Sequence, residues 1–122
     1  MSSSTRGVIQ LGGDTAEGTN ATAAEDRIEY LTIASEGNTS FFGDATQKRY
    51  NGIMSASNAT RGINGGGYVS NYETQVDYIT IASQGDAQDF GDLSRARWGL
   101  SGLGSSTRAI ALGGAEDRDW ET

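Results

Sequence analysis

Ile28-Glu29-Tyr30-Leu31-Thr32-Ile33-Ala34-Ser35-Glu36-Gly37 returns 48 residues later as Val76-Asp77-Tyr78-Ile79-Thr80-Ile81-Ala82-Ser83-Gln84-Gly85, with six of ten positions identical and the rest conservatively changed. Both copies are rich in Ile, Thr and Tyr, residues that fit a pleated surface, so Ile28–Ser35 and Val76–Ser83 are predicted strands. Apolar side chains fall on both alternating faces of each copy. A strand of that kind needs cover on both sides, as an inner strand of stacked sheets has.

Working outward, the same displacement carries Phe42-Gly43-Asp44 onto Phe90-Gly91-Asp92 and Arg49-Tyr50 onto Arg97-Trp98. One residue is then dropped, and Thr60-Arg61 falls on Thr107-Arg108, with a third copy at Thr5-Arg6. The segments after these pairs end on glycines: Gly12-Gly13, Gly65-Gly66-Gly67 and Gly113-Gly114. Val8–Leu11 and Ile110–Leu112 are read as short strands stopped by Gly-Gly. Tyr50–Ser57 and Trp98–Leu103 are read as strand-like stretches of small residues, and the Phe-Gly-Asp segments as outer strands or turns. No helical period of useful length occurs. With no proline in the chain, Gly, Asn and Asp must make the turns.

Four short antiparallel strands per unit of about 48 residues is the signature of propeller blades. The fold class predicted is therefore all-β, with one repeat domain over 1–122. Repeat 1 covers about 14–61 and repeat 2 about 62–108, with partial strand copies at 1–13 and 107–122.

Composition narrows the function. The net charge of −7 repels polyanions, so neither nucleic acid nor an anionic lipid surface is an expected partner. Cysteine and histidine are absent, which removes zinc-finger, thiol and Ser-His-Asp chemistry. Carboxylates are abundant but none is marked as special, and no calcium-loop spacing is present. No catalytic residue, metal or cofactor is assigned, and the chain is not expected to be an enzyme. Neither a signal peptide nor a membrane-spanning segment is read from the sequence, which predicts a soluble or virion-borne protein.

An Arg-aromatic strand at Arg97-Trp98, a strand closing on Gly113-Gly114, the β-branched strand Val76–Ser83 and the short segment Asp89–Leu93 together resemble the kelch repeat of β-propellers. More specifically, Asp77–Leu93 followed by Ser105-Ser106-Thr107-Arg108 looks like the kelch-like repeats of virion structural proteins of marine phages, cyanophages especially. The resemblance implies a tail or fibre component of a phage particle, with host-surface adhesion as an added role. In kelch order the chain offers strands two to four, then one to four, then one and two. Identical phases at its two ends invite pairing between protomers, and three chains with two blades each give a six-bladed ring as the expected homo-oligomer.

Candidate binding residues fall into two groups. Arg6, Arg61 and Arg108 are placed to hold an anion, or else to pair with the neighbouring repeat's Asp44 or Asp92. The loop between Gly-Gly and the next strand is 14 residues long in the first copy, Asp14–Arg27, and 8 in the second, Tyr68–Gln75. Loops that differ on a common scaffold often carry binding. There Tyr68 and Tyr72 are suited to stacking on a sugar ring with Asn71 and Glu73 on its hydroxyls, or to packing over a blade edge. A free lectin-like module binding cell-surface glycan and a carboxylate-dependent glycosidase on a propeller are the alternative functions.

Overall fold

The computed structural model describes residues 1–10, 25–49, 53–67 and 74–114. Among these the secondary structure is strand and turn throughout, and no helix is long and apolar enough to cross a membrane. Nine strands among the described residues form three antiparallel sheets. The first holds β1 (Arg6–Gln10), β2 (Glu25–Thr32) and β3 (Ser40–Arg49). The second holds β4 (Met54–Ser57), β5 (Arg61–Gly65), β6 (Gln75–Thr80) and β7 (Gln88–Asp92). The third is the hairpin of β8 (Ser101–Gly104) and β9 (Ala109–Leu112). Each sheet is a meander in sequence order and none is closed. The division into three, four and two strands agrees with the count made from the repeat.

Register repeats with the sequence. Arg6 lies opposite Thr32 and Val8 opposite Tyr30 in the first sheet, as Arg61 lies opposite Thr80 and Ile63 opposite Tyr78 in the second. The Thr-Arg pairs owe their recurrence to a turn. Ser3, Asn58 and Ser105 each donate a backbone N–H to the carbonyl of the arginine three residues on, at 2.9, 3.0 and 2.8 Å. The side-chain oxygen of the same residue accepts from the backbone N–H of Arg6, Arg61 or Arg108 at 3.1, 2.8 and 3.2 Å. A short polar side chain that bonds its own backbone two or three residues ahead pre-forms such a turn.

Strand limits differ from the sequence reading in instructive places. Ile33-Ala34-Ser35 and Ile81-Ala82-Ser83 leave the ladder and form turns, so the β-branched runs end as strands at Thr32 and Thr80. Ile81 still serves packing, because its N–H reaches back to the Thr60 carbonyl at 2.9 Å. Phe42-Gly43-Asp44 lies inside a ten-residue strand and Phe90-Gly91-Asp92 ends a five-residue one, so both segments are strand. The run read from Trp98 begins as a regular strand only at Ser101, since Gly99 has φ 69°, a left-handed conformation that breaks a ladder. Gly113 and Gly114, at φ 67° and 87°, stop β9 in the same way.

The core lies between the first two sheets. Val8, Ile28 and Phe42 from one meet Ile79 and Ile81 from the other. Full burial of each such side chain contributes roughly 1.5–3 kcal/mol. The third sheet packs on the second through β4, where Gly102 comes so close to the Ser55 backbone that a Cβ would lie 2.6 Å from its carbonyl oxygen.

Candidate functional site

Alternation assigns the two faces of each central strand. On β6, Asp77 and Ile79 point at the first sheet, followed by Ile81, while Val76 and Tyr78 point away. On β2, Ile28 and Tyr30 face the second sheet, which turns Glu29 and Leu31 outward, followed by Ile33.

The junction between the two sheets is built around a buried ion pair. Arg49 and Asp77 are 0% and 1% exposed, with Nη2 donating to Oδ1 at 2.9 Å. Thr46 completes the carboxylate, its N–H and hydroxyl donating to Oδ2 at 3.0 and 2.9 Å. Nη1 of Arg49 donates to the Gln75 carbonyl at 2.6 Å. A buried charge is tolerated only with such pairing. Main-chain bonds extend the contact: Gly85 N–H donates to the Phe42 carbonyl at 2.9 Å and Ala87 N–H to the Asp44 carbonyl at 2.8 Å. The Asp86 carboxylate accepts from Asp44 N–H at 2.9 Å. Gly43 is obligatory here, because a Cβ would sit 2.1 Å from the Gly85 carbonyl oxygen.

Around this lies a repeated stack. The guanidinium carbon of Arg6 is 4.4 Å from the Tyr30 ring centre, and Tyr30 meets Phe42 edge to face at 6.0 Å. Arg61, Tyr78 and Phe90 reproduce it at 4.4 and 6.1 Å. Such contacts are favourable through the ring quadrupole. The first stack is covered by the second sheet; the second borders an open groove of about 530 Å³ between β4–β7 and the β8–β9 hairpin.

The predicted site residues separate accordingly. Arg6 does cross to the neighbouring repeat, but Nη1 donates to the Ile81 carbonyl at 2.8 Å, not to an aspartate. The expected pairing with Asp44 is absent among the described residues, because the Arg6 guanidinium is already held by the Ile81 carbonyl and the face of the Tyr30 ring. Arg61 and Arg108 both line the groove, and so does Asp92. Tyr68, Asn71, Tyr72 and Glu73 lie outside the described residues, and so does most of the longer loop, Asp14–Arg27.

Sequence reading passed over Arg49 and Asp77 as a pair. The signal was present, since Arg49 recurs as Arg97 and Asp77 as the acidic Glu29 in the same phase. Glu29 is held by the Thr39 hydroxyl and by Arg27 Nε at 2.6 Å. The Thr39 hydrogen bond and then the Arg27 contact hold its carboxyl below the usual carboxylate range.

No protein-family model matches the chain, and none of the curated proteins matches its sequence.

Proposed function

We propose that the chain is a non-enzymatic structural repeat protein whose sheets are successive kelch-like blades, three chains completing a six-bladed ring. Its setting is the tail or fibre of a phage particle, where a rigid ring serves as scaffold and presents loops for host-surface adhesion.

The observation that carries this reading is the junction itself. One repeat holds the next face to face through a desolvated ion pair, a main-chain ladder and a shared apolar core. Repeat proteins propagate through such nearest-neighbour interfaces. The outer strands β3 and β7 carry the same Phe-Gly-Asp sequence, so the surface that receives a neighbour is present twice. Among the described residues β9 is paired on one side only, by β8, and an open sheet edge of that kind favours completion by another chain over a free monomer.

Mass in solution combined with electron microscopy tests the function. A trimer with a toroidal outline is expected. A strictly monomeric, cooperatively folding chain of 12.8 kDa ends the proposal.

A further inference from the structure

We infer that the groove beside β7 receives the Glu29–Thr39 stretch of a second copy of the chain, bound head to tail as Asp77–Ala87 is bound to β3 within one copy. This rests on the scaffold function proposed above and deepens it by naming its contact surface.

Every partner of the internal junction recurs at the two open ends. On the receiving side Phe42, Gly43, Asp44, Thr46 and Arg49 recur as Phe90, Gly91, Asp92, Ser94 and Arg97. On the inserting side Asp77, Ile79, Ile81, Gly85 and Asp86 recur as Glu29, Leu31, Ile33, Gly37 and Asn38. Each substitution keeps the chemistry that the junction uses. Glu29 retains a carboxylate for Arg97, Ser94 a hydroxyl for that carboxylate, and Asn38 an acceptor oxygen for the N–H of Asp92.

Three observations show that a single copy leaves this surface uncovered. Phe90 is 55% exposed where Phe42 is 2%, and Ile33 is 56% exposed where Ile81 is 0%. Among the described residues the space above Gly91 is open, with nothing within 4 Å of an added Cβ, whereas the 85–87 turn fills it at Gly43.

The strands agree with the same seating. β9 presents Arg108, and an edge unpaired among the described residues, in the phase in which β1 presents Arg6 to β2. Only one of these two equivalent strands can lie on β2 in the assembled state. The contacts to β7 are the same whichever does. Because inserting and receiving faces differ, the contact is heterologous and propagates around a ring.

Charge reversal tests this. Glu29→Arg and Arg97→Glu are expected each to weaken self-association of the full chain by at least about tenfold. A chain carrying both substitutions is expected to regain assembly, since the two reversed charges then face each other at every contact of the ring. A double variant that associates no better than the single ones overturns the pairing of these positions. Ile33→Asp and Phe90→Asp alter side chains already exposed in the single copy, so they are expected to keep the wild-type circular dichroism while abolishing assembly. An oligomer indifferent to all four substitutions overturns the inference and leaves the scaffold function standing on another interface. A wild-type chain that never associates overturns both.

Discussion

Ile33 and Ile81 occupy one position in two copies of a sequence, and so do Phe90 and Phe42, yet in each pair one side chain is exposed and the other buried. Local structure does not distinguish them, for the strands have matching register and the same arginine–tyrosine–phenylalanine stack. What differs is whether a neighbouring sheet stands in front. Burial in this molecule is therefore a property of the junction and not of the repeat, which makes paired substitutions at equivalent positions informative.

The largest effect is expected at the buried carboxylate. Asp77→Ala strands the Arg49 guanidinium in a fully desolvated site, which costs about 3–5 kcal/mol. Urea denaturation should report that loss, while Glu29→Ala at the equivalent position, with its exposed partner, changes the midpoint far less. Equal losses at both positions would mean that the two faces are equally covered in solution.

Next is the apolar pair. Ile81→Ala removes a side chain at 0% exposure and is expected to cost about 2–5 kcal/mol. Ile33→Ala in dilute, unassembled protein should stay within about 0.5 kcal/mol of wild type, and the comparison sharpens if its effect grows with protein concentration.

The smallest effect follows the protons. Glu29 has its carboxyl held below its ordinary value of 4.5 by Thr39 and then Arg27, so the unfolded chain binds the proton more tightly. Its contribution is present above that ordinary value and is lost as pH falls through the lowered one. Melting curves of wild type and Glu29→Gln should be separated at neutral pH, with wild type the more stable, and converge on acidification.

Much of the architecture was legible because repetition amplifies weak signals. A single Thr-Arg pair says little, but three in phase at Arg6, Arg61 and Arg108 mark three turns, and the strand count follows. Limits of strands were less legible: Ile33 and Ile81 have the composition of strand residues, and only the turn that brings Ile81 back to Thr60 removes them from the ladder. For the candidate site, the arginines of the Thr-Arg turns were found, but the acceptor of Arg6 was not. A backbone carbonyl such as that of Ile81 leaves no trace in residue type.

The amino-acid sequence by itself determined the all-β class, the phase of the repeat, the turns and the face alternation of β2 and β6. These depend on side-chain period and on local backbone hydrogen bonds, which are written in neighbouring residues. Tertiary structure alone decided that Asp77 is the partner of Arg49, that Gly43 must be glycine, and that one of two equivalent phenylalanines is covered. Those facts arise from groups 28 to 42 residues apart meeting across two sheets, where exclusion of water sets the strength of each contact.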